Sequence, residues 1–296
     1  MKISKFTHER DFDRINDFLF SLYRPMNRDG NWIQPIWEYA YTHAWLDDRL
    51  MKELPIWEEN NEIMAFVYYD SNPLDLTLAV HPDHNNLKIE MIKYAQSYLY
   101  SVLDDGKRTT RIFTADFDSI GRKSLESRGF VQKTGLTRDM SWFDPSVNAF
   151  DTRLPTGFKF KSLAEDNNLK KIDLCLHKGF NHEGDPPENG IAGRLKMQSG
   201  PHFRKDLNIV VEAPSGEFVS FAGLWMDEIN KFGYVEPVAT VPEYRNRGIG
   251  RSAVLESVRR CCELGATGAW VWTKMNFYLS MGFQPVYQHL CFENVV

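Results

Sequence analysis

The hydrophobic pattern runs through one order of elements twice. In the first pass, Lys2 to Phe6 is a short extended run. From Asp11 onward, Phe12, Ile15, Phe18 and Leu19 recur at helical spacing, and an aromatic-rich helical region covers Trp32 to Leu50. Pro55 to Glu58, a turn at Asn60-Asn61 and Ile63 to Tyr69 predict a hairpin. A strand from Leu74 to Val80 stops at His81-Pro82, and a helix from Leu87 to Tyr100 and a strand from Arg111 to Thr114 follow. A short helix then closes on Ser127-Arg128-Gly129-Phe130, where Gly129 suits a left-handed C-terminal cap.

The second pass starts at Phe158. Phe158 to Leu163 is a strand, and Leu169, Ile172 and Cys175 mark the helix after it. Leu207 to Glu212, a turn at Pro214-Ser215-Gly216 and Phe218 to Trp225 form a second hairpin. Tyr234 to Val241 is the central strand. The next helix sets Val254, Leu255, Val258, Cys261 and Cys262 against Ser252, Glu256, Arg259 and Glu263. Ala269 to Thr273, a short helix capped by Gly282, and Val286 to Phe292 complete the pass. Even the spacing repeats: Phe6, Phe12 and Ile15 match Leu163, Leu169 and Ile172. Between the passes the pattern breaks, from Asp144 to Gly157. The expected organisation is a duplicated pair of α/β domains, residues 1–145 and 158–296, joined by a linker at 146–157. Each reads as a central mixed sheet with helices on both faces.

Composition adds exclusions. With 296 residues, 43% hydrophobic and 25% charged, the chain has room for two cores. The net charge is −5 and no basic stretch dominates, so nucleic acid is not an expected partner. No apolar run reaches membrane-spanning length, and the charged His8-Glu9-Arg10-Asp11 interrupts any signal-like start. The cysteines, Cys175, Cys261, Cys262 and Cys291, form no C-x-x-C pair, and the histidines show no ligand spacing. Free buried thiols in a cytoplasmic protein, with no metal, are the expectation.

One turn carries chemistry. After the strand, Pro242 removes a backbone donor, and Gly248-Ile249-Gly250 opens the next helix. Glycines at a helix start let orphan N–H groups approach an oxyanion, and the dipole favours a phosphate there. Arg245, Arg247 and Arg251 surround the turn with cations. Gly248 to Ala253 also fits the dinucleotide pattern G-x-G-x-x-A. That pattern needs its first glycine directly after the strand and an acidic residue about twenty positions on. Here Pro242 to Arg247 intervene, and Trp270-Val271-Trp272-Thr273 occupies the later strand end.

Arg245-x-x-Gly248-x-Gly250 instead resembles the acetyl-CoA signature of the GNAT superfamily of N-acetyltransferases, and Tyr278-Leu279-Ser280-Met281-Gly282-Phe283 resembles the family's tyrosine segment ending in Gly-Phe. The resemblance covers the second lobe by motif and the first by element order, as in two-lobed family members. It implies an acetyl-CoA-dependent transfer to the amine of a small molecule or peptide. It also implies that pantetheine pairs with Val238-Ala239-Thr240 and that pyrophosphate takes donors from Asn246, Arg247, Gly248, Ile249, Gly250 and Arg251. Tyr278 takes the place of the family's general acid, with sheet packing as its alternative. Asn276 is a candidate for the pantetheine arm, at a spacing shorter than the family's. Glu236, on the central strand before Pro237, is the candidate base, with an ion pair to a nearby arginine as its alternative. Glu183, Asp185 and Glu188 lie in a Pro/Gly-rich loop that is either a cation-binding edge of the acceptor groove or simply solvated. Trp225 is a candidate wall of that groove, or core. The competing function is a non-catalytic acyl-CoA-binding sensor or scaffold.

Laying Pro82 on Pro242 sets Asn85, Lys88 and Glu90 where Arg245, Gly248 and Gly250 stand, and Leu76 where Glu236 stands. Laying Gly129-Phe130 on Gly282-Phe283 sets Leu125 at the place of Tyr278. The first lobe is therefore expected to be degenerate, with its aromatic segment around Trp32, Trp37, Tyr39, Tyr41 and Trp45 as a surface for the acceptor groove.

Overall fold

A computed structural model describes residues 1–43, 46–70 and 73–296 of the chain. It divides into two compact units. One holds Met140–Pro285; the other is built from the chain before it, apart from a short piece around Thr42, and takes in Val286–Val296.

In the first unit, β1 (Lys2–Lys5), α1 (His8–Leu22), α2 (Gln34–Thr42), β2 (Pro55–Glu59), β3 (Glu62–Tyr69), β4 (Asp75–Val80), α3 (Leu87–Tyr98), β5 (Ser101–Val102), β6 (Arg108–Ala115), α4 (Ser119–Ser127) and β7 (Val131–Gln132) follow in order. The predicted hairpin turns at Asn60 and Asn61, with φ of 51° and 67°, values that asparagine tolerates. Of the long helical region expected over 32–50, only Gln34–Thr42 is α-helix, with a 3₁₀ segment at Asp48–Glu53. Trp45 lies outside the described residues. Trp32 and Trp37 are core, and Trp37 meets Phe66 and Tyr68 edge-on at 5.2 and 5.8 Å. They are not a surface for an acceptor.

The second unit contains β8 (Arg138–Phe143) from Met140 on, β9 (Lys159–Ser162), α5 (Leu169–Gly179), α6 (Gly190–Met197), β10 (Ile209–Glu212), β11 (Phe218–Asp227), β12 (Phe232–Thr240), α7 (Ile249–Glu263), β13 (Ala269–Val271), α8 (Asn276–Leu279) and the start of β14 (Gln284–Val295). Its strands run β9-β10-β11-β12-β13-β8, antiparallel except for the parallel β12–β13 pair. Ala253, Val254, Leu255 and Val258 of α7 pack on Leu224 and Val235 of the sheet.

The units do not follow the 1–145 and 158–296 boundaries read along the chain. Val286–Val296 lies in the first unit, where β14 pairs antiparallel with β6 from His289↔Ala115 to Val295↔Thr109. Ser141–Phe143 of β8 pairs with β13 in the second. Alternation tells which face of a strand is buried, not which edge it joins. β8 itself escaped the pattern because its buried positions include Asp139 and Ser141. α6 escaped because only Gly190 and Met197 of its eight residues are buried. Among the described residues, no helix is long and apolar enough to cross a membrane.

Candidate active site

The site grows from a parting of two strands. β12 pairs with β11 as far as Thr240↔Ser220, but with β13 only at Gly233 and Tyr234. Beyond Tyr234 the sheet opens. Val241 N–H donates to Val219 at 2.9 Å, so by antiparallel alternation Ala239 also faces β11. Val238 then points its peptide groups, and Thr240 its N–H, into the opening, while the Thr240 carbonyl accepts from Arg245. The cleft there has about 460 Å³, and Thr240, Gly250, Phe277 and Tyr278 are among its lining residues. A row of strand-edge peptide groups is what an extended chain of amides pairs with.

At the start of α7, the two glycines do different work. Gly248 caps α7 at φ 77°, and a Cβ on it would meet nothing within 4 Å. Gly250 is buried, and a Cβ there would lie 2.5 Å from Thr240 Oγ1. Gly250 lets the helix press on the strand end, while Gly248 leaves open space in front of the first N–H groups of a 15-residue helix.

The arginines are more committed than the sequence suggested. Arg245 donates from Nε to the Thr240 carbonyl at 2.9 Å and from Nη2 to the Gly179 carbonyl at 2.8 Å. It ties the turn to the strand end and to the last turn of α5, where a Cβ on Gly179 would be 2.7 Å from Ala239 Cβ. Arg251 Nη1 donates to Ser280 O at 3.0 Å, and Arg247 lies 5.4 Å from the Tyr244 ring centroid, facing a neighbouring groove. Asn246, at φ 60°, lines the cleft with the turn.

Tyr278 sits on α8, held edge-on by Phe283 at 5.6 Å, with Gly282 in the left-handed region closing the helix. Burial pushes its phenol well above the usual tyrosine range, and the charge of Glu236 adds to this. The two candidate proton carriers are therefore electrostatic neighbours, although Tyr278 lines the cleft and Glu236 does not. Trp225 is core: its ring is 1% exposed, and its Nε1 donates to the Glu236 carbonyl at 3.0 Å. Asn276 is exposed, and its neighbours Met275 and Phe277 line the cleft. Glu183, Asp185 and Glu188 are exposed in the α5–α6 loop and do not line it. Met275, Phe277 and Gly179 were not singled out from the sequence. For Gly179 the one signal was a glycine ending α5, which only its close approach to β12 makes meaningful.

The first unit has filled the corresponding places with its own side chains. His81 N–H donates to Met64, so Val80, the counterpart of Thr240, points away from β3. Asn31 meets it there: Oδ1 accepts from Val80 N–H at 3.1 Å, and Nδ2 reaches Val80 O at 3.5 Å. Lys88, at the place of Gly248, donates to Asp118 at 2.7 Å, and Glu90, at the place of Gly250, accepts from Trp57 Nε1 at 2.8 Å. Leu76 and Leu125 are fully buried. Replacing Asn31 by Ala strands two buried backbone groups and should lower stability by about 1–3 kcal/mol for each group left without water. Urea unfolding of the intact chain measures this, and an unchanged midpoint would show that Asn31 contributes nothing there.

Residues 176–283 match the family described as Acetyltransferase (GNAT) family. Curated protein sequences yield no match. Among solved structures, the chain is similar to a tandem GNAT protein from the clavulanic acid biosynthesis pathway, with a TM-score of 0.64, 10% identity and coverage of 99% of this chain and 98% of that one. It is similar to a GNAT-family acetyltransferase from Colwellia psychrerythraea, at 0.60 and 10%, covering 99% of both. A GCN5-related N-acetyltransferase from Sphaerobacter thermophilus gives 0.57 and 12%, over 82% of this chain and 79% of that one. At such identities the likeness is one of fold, and the first two extend it over the whole tandem.

Proposed function

With residues 176–283 belonging to the acetyltransferase (GNAT) family and the whole chain carrying a tandem GNAT fold, we propose that it is an acetyl-CoA-dependent N-acetyltransferase working from its second unit. The observation that carries the reading is the parted β12–β13 edge running into the Gly248–Gly250 helix start, a fit for a chain of amides that ends in a diphosphate. Acetyl-CoA supplies the activated acyl group. Val238 and Thr240 hold the pantetheine amides, and the N–H groups from Asn246 to Arg251 hold the pyrophosphate. Arg245 keeps that turn in place from behind.

Glu236, directly or through a water, takes the proton of the incoming primary amine. Tyr278, kept protonated by its burial, gives its proton to the leaving sulfur. The acceptor is a small-molecule or peptide amine. The four free cysteines suit a cytoplasmic setting, and burial holds the Cys175 thiol up at about 12. Thiol release from acetyl-CoA is the test, with polyamines, amino sugars, aminoglycosides, amino acids and peptide N-termini as acceptors. The enzyme consumes acetyl-CoA in proportion to at least one amine. No release with any of them, alongside tight acetyl-CoA binding, would favour the non-catalytic acyl-CoA-binding protein.

A further inference from the structure

β12 carries one residue more than β11 in the middle of their pairing. Ala222 stands opposite Val238 and Leu224 opposite Val235, so Glu236 and Pro237 share the single partner Gly223. Such a bulge bends a strand and re-aims a side chain. Pro237 has no N–H to give the ladder, and a Cβ on Gly223 would lie 2.4 Å from the Glu236 carbonyl oxygen and 2.7 Å from Pro237 Cδ. At this broken rung the Glu236 carbonyl accepts from a side chain, the indole of Trp225, at 3.0 Å. Phe203 holds that indole edge-on at 5.2 Å, in a site closed to solvent.

A ring that only fills core volume needs no donor. Here the donor is aimed at the peptide carbonyl of the one carboxylate residue in β12, at the point where regular pairing fails. We propose that Trp225 is a positioning residue: its indole N–H anchors the bulge in β12 and so fixes the backbone from which the Glu236 carboxylate is aimed. The consequence for turnover rests on Glu236 being the base, whereas the anchoring itself does not. The charge of Glu236 is felt at the Tyr278 phenol, so the aim of this carboxylate matters to both groups.

Trp225→Phe keeps a ring against Phe203 and deletes the donor. In the full chain labelled with ¹³C at glutamate carboxyl carbons, the Glu236 resonance is the one lost in Glu236→Gln. In Trp225→Phe it should move at constant pH, while those of the exposed Glu183 and Glu263 stay. An unmoved resonance in a folded Trp225→Phe protein overturns the proposal. Should that variant not fold, Gly223→Ala presses on the same carbonyl from β11, and an unmoved Glu236 signal there overturns it equally. With an amine found by thiol release, Trp225→Phe should lose about 10²-fold in kcat, as expected of a reacting group displaced by about 1 Å, with acetyl-CoA affinity unchanged. In a Glu236→Gln background the same substitution should cost little more. Equal losses in both backgrounds would make Trp225 merely structural. A full rate in Glu236→Gln alone would instead remove Glu236 as base, a different failure from an unmoved carboxylate signal.

Discussion

Gly248→Glu should abolish acetyl-CoA binding while leaving the second unit folded. The position is left-handed, at φ 77°, so any side chain there adds strain, but a Cβ would touch nothing within 4 Å. The new side chain therefore projects into the open volume before the α7 N-terminus instead of into the core. That volume is the proposed seat of the pyrophosphate. A carboxylate placed there meets like charge, which costs several kcal/mol, so affinity should fall by about 10²–10³-fold or more. Gly250→Glu would be a poorer test, because its Cβ already collides with Thr240 and a lost signal could come from distorted structure. Calorimetry on the intact chain measures both affinity and stoichiometry. One acetyl-CoA per chain is expected for the native protein and none for Gly248→Glu, since Asn31, Lys88 and Glu90 fill the first unit's counterpart with their own bonds. Unchanged affinity in a folded Gly248→Glu protein would sink the assignment of the turn. A second site surviving the substitution would show that the first unit takes cofactor by another route.

Tyr278→Phe should leave acetyl-CoA affinity intact and lower turnover by about 10²–10⁴-fold, the range for one acid–base group. The substitution removes only the hydroxyl, and the edge-on contact with Phe283 survives. The pH profile sharpens the expectation. Burial and the charge of Glu236 both favour the protonated phenol, so the proton donor remains available throughout the neutral and mildly alkaline range. The native rate should show no alkaline loss due to Tyr278 below about pH 10, the ordinary tyrosine value. Steady-state rates against pH for both proteins decide this. A Phe variant with native turnover would leave Tyr278 a packing residue, and an alkaline loss below about pH 10 that vanishes in the variant would contradict the raised phenol.

Local backbone features were legible in the sequence. Pro242, the two glycines and the tyrosine before Gly282 each act through backbone constraint or position on a single element, and such effects are written in consecutive residues. The duplicated order was legible for the same reason, as hydrophobic period survives wherever one face of an element is buried. The absence of glycines at the first unit's counterpart turn could also be read off, where Lys88 and Glu90 stand instead. Their bonds to Asp118 and Trp57 could not, because those partners lie 30 and 33 residues away.

Other features depend on neighbours that sequence spacing does not identify. Arg245 looks like a phosphate ligand by charge and place, yet two carbonyls from separate elements claim its guanidinium. Trp225 reads as pocket wall or core, and only its surroundings show that it is buried with its donor on Glu236. The edge to which β14 adds, and the pairing of β8 with β13, depend on which strand lacks a neighbour. By itself the sequence determined the repeated α/β order, the glycine turn and the tyrosine segment, since each rests on local geometry and period. Only the tertiary structure decided where the sheet parts, which strand completes each unit and which polar groups are already satisfied, because those depend on contacts between residues far apart in the chain.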